Sequence, residues 1–574
     1  MSTTLAPPPA AQATPTASEP PATRSAVPGR DMALFLLLLF ATDFSGLLHI
    51  YGLSWLYGEP LFLGLGWTMV LVAAFLLLLP SASRLRSADC GVRTAVWAAL
   101  ALVAVVVLTA LAGTFLFQAL TETPVGCARD PHQDTVLGGL PALQLGVLGA
   151  IPATAFAVAY TRYERVRRGC VGLIAVVLFS LSVVNLLYDA HVGKHASDTW
   201  AILAGGGPVV GIGVGLLILA ACGLAYLSPA RFLAATVGAG LALRALGLVL
   251  IPLSIRLGDM LPLVGKADDR LQVLQNPYIV YKMPWDLPLT YWPLTVLSYL
   301  PASLAGLDLR LVNLLVGPLV GLLLLVAGGR RGPGPAAYAF GLLYLAPTML
   351  QWDISTAAPP FWLWLCAAFA ALVVAGRRGG WFLPGAAGGA ALAAAPLALP
   401  FLPFLGVLWL GEGWRTALRR ALWAGTALGV LVGPFVLWDA VGFWNGAVAW
   451  FNDTSNLPLL KWQTDRSWAF EIGLAGPIWS AGQEAWLKPL QIALVGGLFV
   501  ASLLVRPRPI RAPGDALRWG AAAYLLFMVV NPVIWPYLYV PALLALVFAL
   551  LPAAGSPGRL TSGVQPVESG TEFD

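Results

Sequence analysis

The feature that most constrains the fold of this chain is a long series of apolar stretches, most of them close to 20 residues long. A helix needs roughly 20 apolar residues to cross the hydrocarbon core of a bilayer. The chain of 574 residues is 59% hydrophobic and only 10% charged, whereas soluble domains carry roughly 25% charged residues. We therefore expect an all-α polytopic membrane protein, and a water-soluble enzyme is excluded.

The apolar stretches predict about 16 transmembrane helices. They lie at about 32–50, 61–80, 94–118, 137–160, 170–188, 207–227, 232–253, 309–327, 335–350, 360–376, 381–396, 397–411, 421–438, 487–505, 518–534 and 536–551. The further apolar piece 291–305 is interrupted by Pro293 and Pro301. We expect it to form a helix in the outer interface that does not cross the membrane.

The arginines predict the orientation of these helices, because short cytoplasmic loops collect basic residues. With both termini inside, the arginine-rich loops alternate correctly along the chain, and the long loops 254–308 and 439–486 face outward. Residues 1–30 and 554–574 have no apolar run and are predicted to be disordered cytoplasmic tails. Between the tails, we distinguish an N-terminal six-helix region, 31–227, from a second membrane module, 228–553.

The first outer loop carries an acid at a membrane boundary. Asp259 follows Gly258 directly after the predicted span 232–253. Partial desolvation there raises the pKa of a carboxyl group and suits it to accept a proton from a hydroxyl. A solvated acid at a helix end is the plainer interpretation. For Asp268 and Asp269 we expect a solvated, charged helix face, because Lys266 and Arg270 surround them.

A second acid, Asp353, ends the predicted span 335–350 on the same side of the membrane. Two carboxylates at one mouth of a helix bundle can act as a base with its orienting partner, or can hold a divalent cation. An interfacial cap is the alternative role for Asp353. Histidine is absent from 228–553, so catalysis in this module needs a carboxylate base. No residues are assigned as metal ligands and no cofactor is assigned, although a divalent cation held by the two carboxylates stays open as an alternative.

The outer loops also hold residues that could bind a phosphorylated lipid or a sugar. Cations could pair a lipid phosphate, and the tryptophans of 439–486 form either an interfacial belt or a platform for sugar rings. The predicted substrate-binding residues are Arg256, Lys266, Arg270, Asn276, Tyr278, Lys282, Lys461 and Arg466. In the N-terminal region, the intramembrane Asp43 is a functional candidate by default.

Residues 230–553 resemble the GT-C superfamily of integral-membrane glycosyltransferases, in particular the polyprenyl-phosphate-sugar-dependent, mannosyltransferase-like branch. The resemblance is carried by Gly258-Asp259, by Asn276-Pro277-Tyr278 and by Tyr291-Trp292-Pro293-Leu294 before an interfacial helix. It also includes the two long outer loops, with Asn531-Pro532 and Trp535-Pro536 near the end. Six extra helices precede the module, and no soluble domain follows it.

The resemblance implies an inverting transfer of a sugar from a polyprenyl-phosphate donor to a glycan, glycolipid or protein hydroxyl. Asp259 would be the base and Asp353 an assisting acid, in the plasma (inner) membrane with the site facing outside. Membrane lipids are expected partners, and nucleic acid is not. Two alternatives stay open: a transporter or flippase of a lipid-linked saccharide, for which the midspan Arg244 would be a coupling residue, and a non-catalytic component of envelope polysaccharide assembly.

Overall fold

A computed structural model describes residues 29–50, 148, 151, 154–155, 164–192, 220, 223–224, 227–253, 258–283, 286–450, 478, 482–504, 510–531 and 536–552. Both predicted tails lie almost wholly outside these residues, although the first helix begins at Gly29. The predicted spans 61–80, 94–118, 137–160 and 207–227 also lie wholly or largely outside them.

The described chain is mostly helical, with one short hairpin. Its helices are α1 (Gly29–Ile50), α2 (Glu164–Val192), α3 (Pro229–Leu250), α4 (Met260–Gln272), α5 (Pro293–Leu304), α6 (Arg310–Gly328), α7 (Pro335–Leu345), α8 (Pro347–Ser355), α9 (Pro359–Arg378), α10 (Phe382–Ala394), α11 (Leu402–Glu412), α12 (Trp414–Trp438), α13 (Ala440–Phe443), α14 (Leu487–Leu504), α15 (Pro513–Val529) and α16 (Val540–Ala549). The antiparallel strands β1 (Val280–Lys282) and β2 (Asp286–Pro288) pair Tyr281 with Leu287.

Local sequence explains where several helices begin. Ser228 precedes α3 and its hydroxyl accepts a hydrogen bond from the backbone N–H of Arg231, 3.4 Å away. Proline follows at the first helical position of α3, where its fixed φ suits a helix and its missing N–H costs nothing. The helices α7, α8 and α9 also begin with proline, at Pro335, Pro347 and Pro359.

Within the described residues, six helices are long and apolar enough to cross a membrane. The segments are Val166–Val183, Pro229–Leu250, Arg310–Arg331, Pro359–Arg378, Trp414–Trp438 and Leu487–Leu504. The chain is thus a helical, membrane-embedded protein, and the predicted number of about 16 spans stays a prediction. Helix α5 has 12 residues, a rise of about 18 Å, which is short of the roughly 30 Å hydrocarbon core.

The centre of the molecule is formed by α7 and α16, which are buried at every position. Helix α12 lies at the periphery, where Leu418, Leu422 and Leu437 are exposed. This distribution is expected of a membrane protein, because side chains that face lipid have no reason to be polar.

The predicted span 335–350 is two helices rather than one. The helix breaks between α7 and α8 at Ala346-Pro347, since proline has no N–H to continue the ladder. Side chains from other helices satisfy backbone groups at the break. The carbonyl of Tyr344 accepts from Arg244 Nη1 at 2.9 Å, and the carbonyl of Leu345 accepts from Ser182 Oγ at 2.6 Å.

The other side of the break is capped by a residue of α1. The carboxylate of Asp43 accepts hydrogen bonds from the hydroxyl and the backbone N–H of Thr348, in the first turn of α8. A carboxylate is favourable there because a helix N-terminus carries a partial positive charge. A second contact ties α1 to the module, an ion pair of 2.5 Å between Asp31 and Arg518 of α15. Helices from the N-terminal region therefore pack directly against the second module.

Two glycines allow α10 and α12 to approach closely. A Cβ atom on Gly385 would overlap the carbonyl oxygen of Arg420, and one on Gly389 would overlap that of Ala424. Glycines four residues apart on one face are the usual means by which membrane helices bring their backbones together. A Cβ on the neighbouring Gly388 would meet nothing within 4 Å.

We expect Gly389→Ala to lower the stability of the protein, by about 1–3 kcal/mol, because α10 must move away from the α12 backbone. Gly388→Ala is the matched control and should have no such cost. Thermal unfolding of the purified full-length variants in detergent measures the difference. Equal melting temperatures for the two variants would contradict the close approach.

Candidate functional site

Asp259 lies at the start of α4 and is partly exposed. It occupies the N-cap position, but its side chain makes no capping hydrogen bond. By the helical period, Asp259, Lys266 and Arg270 lie along one edge of α4, with about 10 Å between the levels of the first two. The opposite face packs Leu261 and Val264 against Tyr299 of α5.

The Gly258-Asp259 segment packs against the C-terminal end of α8. A Cβ atom on Gly258 would lie only 2.8 Å from the carbonyl oxygen of Ser355. Any larger residue at 258 would therefore push the loop away from α8. Because Ser355 is two residues beyond Asp353, the two acids predicted to share a site are carried by backbone segments in direct contact.

The side chain of Asp353 is buried inside the bundle and forms an ion pair with Arg244 of α3. The Arg244 guanidinium also lies over the ring of Tyr344, 3.6 Å from its centroid. The structure thus pairs Arg244, the midspan arginine noted in the sequence, with Asp353, the second acid predicted for the site. In this position Asp353 is neither a solvated interfacial cap nor an open base.

A network of uncharged side chains continues from Asp353 towards α5. Asn313 Nδ2 donates to the backbone carbonyls of Asp353 and Thr356, at 2.8 and 2.9 Å. The hydroxyl of Tyr299 donates to Asn313 Oδ1 at 2.6 Å. These bonds hold the end of α8 between α5 and α6. The same end of α8, at Ser355, is the part that Gly258 contacts.

Aromatic residues pack at the start of α4, where Tyr291 lies against the cluster formed by Leu261, Val264 and Tyr299. Burial raises the pKa of Tyr291 well above its usual value, and the charges of Tyr537 and Asp259 raise it further. Tyr537 packs edge-on against Trp352 of α8, with 6.0 Å between the ring centroids. The carboxylate of Asp259 therefore lies at the end of the bundle where the first outer loop, α8 and the chain before α16 converge.

Two predicted substrate-binding residues make internal contacts instead. Asn276 Nδ2 donates to Asp439 Oδ2 at 2.8 Å, and Asn276 Oδ1 accepts from the backbone N–H of Tyr278 at 2.9 Å. Tyr278 is buried and packs edge-on against Phe435 and Phe443. Asn276-Pro277-Tyr278 thus joins the first outer loop to the end of α12.

The predicted cations differ in their surroundings. Lys266 is exposed and its Nζ donates to the carbonyl of Lys282 at 2.9 Å, while Lys282 pairs with Asp286 at 3.5 Å in an exposed contact. Arg270 Nε donates to the carbonyl of Asn276 at 2.7 Å. Arg256, Lys461 and Arg466 lie outside the described residues.

In the described part of the chain, no group of three or more His, Cys, Asp or Glu side chains is placed to hold a metal ion.

The expectation of a solvated face at Asp268 was wrong. Asp268 is fully buried, and neither carboxylate oxygen has a hydrogen-bond partner among the described residues. Burial raises the pKa of Asp268 from 3.8 to about 7, with a further contribution from the adjacent Asp269. Of the two adjacent acids, only Asp269 is exposed, as expected. The signal was present in the sequence, because Asp268 follows Leu261 and Val264 at helical spacing and thus shares their apolar face.

We expect Asp268 to make stability depend on pH. From about pH 4 to pH 7 the carboxyl group ionises in the unfolded chain but stays protonated in the folded one, so stability falls as pH rises and levels off above 7. Thermal unfolding of the detergent-solubilised protein should show a flatter pH profile for Asp268→Asn. Asp269→Asn is the control; if it flattens the profile equally, burial of Asp268 is not the cause.

We expect Arg244→Gln to destabilise the protein by about 3–5 kcal/mol, because it leaves the buried Asp353 carboxylate without its partner. The double variant Arg244→Gln/Asp353→Asn should recover much of the loss. Lys282→Gln, which breaks the exposed pair with Asp286, should cost at most about 1 kcal/mol. Unfolding midpoints measure all three, and a double variant no more stable than Arg244→Gln alone would argue against the buried pair.

No known family model, no curated protein and no solved structure matches this chain.

Proposed function

We propose that the chain is a membrane glycosyltransferase of the GT-C type, which moves a sugar from a polyprenyl-phosphate donor to an acceptor hydroxyl. The observation that carries the proposal is the position of Asp259. The residue is partly exposed, begins α4 directly after the contact of Gly258 with the end of α8, and its charge raises the pKa of Tyr291. An acid at the edge of a buried aromatic group suits a general base, because partial desolvation favours the protonated form.

In the proposed reaction, Asp259 accepts the proton of the acceptor hydroxyl as its oxygen attacks the anomeric carbon of the sugar. The bond between that carbon and the phosphate oxygen breaks, and its electron pair leaves with the polyprenyl phosphate. The configuration is inverted in this single displacement. The proton passes from Asp259 to water, so the carboxylate is regenerated without a nucleotide or a redox cofactor.

Asp353 acts in this proposal as a positioning residue. Its ion pair with Arg244 and the bonds from Asn313 fix the end of α8. Gly258 packs against that end, and Asp259 follows directly. A displaced α8 would therefore move the base, and misplacement by about 1 Å can cost on the order of 100-fold in rate.

The departing phosphate requires a cation. Lys266 and Arg270 lie on the same edge of α4 as Asp259, which makes them the best placed of the described cations. Arg256, Lys282, Lys461 and Arg466 are further proposed contacts to the phosphate. The proposed location is the plasma (inner) membrane, with both termini in the cytoplasm and Asp259 on the outer face.

One observation favours a second candidate, a transporter or flippase of a lipid-linked saccharide. Such proteins use broken helices and buried charges at their substrate sites, and the break between α7 and α8 lies beside the Arg244–Asp353 pair. The break is, however, satisfied internally by Arg244, Ser182 and Asp43. That arrangement leaves little for a moving substrate to bind, so we favour the transferase.

We expect Asp259→Asn to abolish sugar transfer from a radiolabelled polyprenyl-phosphate sugar, by at least about 100-fold, while the protein accumulates normally in the membrane. Asp286→Asn removes a mostly exposed acid from the same outer loop and should retain activity. Full activity of Asp259→Asn would overturn the assignment of the base. Movement of the labelled lipid across proteoliposomes without transfer to any acceptor would support the flippase instead.

A further inference from the structure

A second cluster of charged and aromatic residues lies at the opposite end of the bundle from Asp259. Helix α10 begins at this end and reaches α5 at its other end, where the hydroxyl of Thr295 donates to the carbonyl of Ala394 at 2.8 Å. Helix α12 runs the same way, and Asp439 at its far end bonds Asn276. We call this the basic–aromatic cluster; it comprises Trp381, Trp409, Glu412, Trp414, Arg415, Arg419 and Arg420.

Arg420 is the buried centre of the cluster. Its Nη2 donates to the carbonyl of Gly380 at 2.8 Å and pairs with Glu412 at 2.7 Å. Its Nη1 has no hydrogen-bond partner among the described residues, and neither does Nε1 of Trp409, although both side chains are more than nine-tenths buried. The Arg420 guanidinium carbon lies 5.7 Å from the centroid of the Trp409 ring.

Two unpaired N–H donors on neighbouring side chains indicate a missing acceptor. A buried donor without a partner costs roughly 1–3 kcal/mol, and more when the group is charged. Glu412 neutralises only one of the three arginines in the cluster, so the local charge is positive. The acceptor that fits is an anion with several oxygen atoms, and a phosphate group has this chemistry.

The surroundings indicate that this phosphate belongs to a lipid. Arg415 and Arg419 lie over the exposed rings of Trp414 and Trp381, at 5.5 and 5.8 Å. Aromatic rings and arginines at the end of a membrane helix are typical of the headgroup level. Exposed leucines lie on the same helices, Leu410 and Leu418 between cluster residues and Leu422 just beyond them, where acyl chains would cover them.

We propose that the basic–aromatic cluster binds the phosphate of an anionic phospholipid, with Arg420 and Trp409 as donors and Arg415 and Arg419 as the outer cations. Basic pockets between membrane helices are known to take acidic headgroups. Arg420 lies 18 residues before Trp438, the last residue of α12, so the centre of the cluster lies about 27 Å from the other end of that helix. The site is therefore separate from the proposed catalytic end and does not depend on the proposed reaction.

The test uses the purified full-length chain in detergent with equal amounts of phosphatidylglycerol and phosphatidylcholine, and native mass spectrometry to count bound lipids. We expect the wild type to retain phosphatidylglycerol preferentially. Trp409→Phe, which removes one donor and keeps a ring, should weaken retention about tenfold. Arg415→Gln/Arg419→Gln changes only the outer cations and should weaken it at least as much.

Arg330→Gln is the matched control, since it removes an exposed arginine of the short helix Gly329–Arg331, outside the cluster. It should retain phosphatidylglycerol like the wild type. Equal binding of the two lipids by the wild type would overturn the proposal, as would an equal loss in the Arg330→Gln variant. Displacement of the lipid by millimolar inorganic phosphate would show that the site takes free phosphate, and would overturn the lipid assignment.

Discussion

The break between α7 and α8 is the constraint on which the packing of this protein depends. In hydrocarbon, every backbone N–H and C=O group must find a partner inside the protein. The groups freed by Pro347 find theirs on Arg244, Ser182 and Asp43, which belong to α3, α2 and α1. Three helices distant in the sequence must therefore lie around one point.

This arrangement also gives the N-terminal helices a structural role. Asp43 and Ser182 come from the region that precedes the second membrane module, yet they complete a helix inside that module. Arg244 brings a charge into the interior, which requires a compensating one, and Asp353 supplies it seven residues after the break. The Arg244–Asp353 pair is thus a consequence of the broken helix. Arg244 bonds the carbonyl of Tyr344 at the break, and Asp353 balances the charge of Arg244.

The two ends of the helix bundle carry different side chains and therefore suit different chemistry. At one end, α8 stops against Gly258, directly before Asp259, and Tyr537 in the chain before α16 packs against Trp352 of α8. At the other end, α10, α11 and α12 bring arginines and tryptophans together around Arg420. An acid beside buried aromatic groups suits proton transfer, whereas unpaired cationic donors suit an anion.

The sequence by itself determined the class of the protein and the approximate position of most described helices. Hydrophobic length is a local property, so the predicted spans 232–253 and 360–376 agree closely with Pro229–Leu250 and Pro359–Arg378. Only the tertiary structure decided which side chains meet. The pairing of Arg244 with Asp353 joins residues 109 positions apart, and the burial of Asp268 depends on the helix face that α5 covers. The pairing has no local signature, because it follows from how helices pack and from which polar groups packing isolates from water. The helical spacing of Asp268 with Leu261 and Val264 marks their shared face, but only the packing of α5 decided that this face is covered.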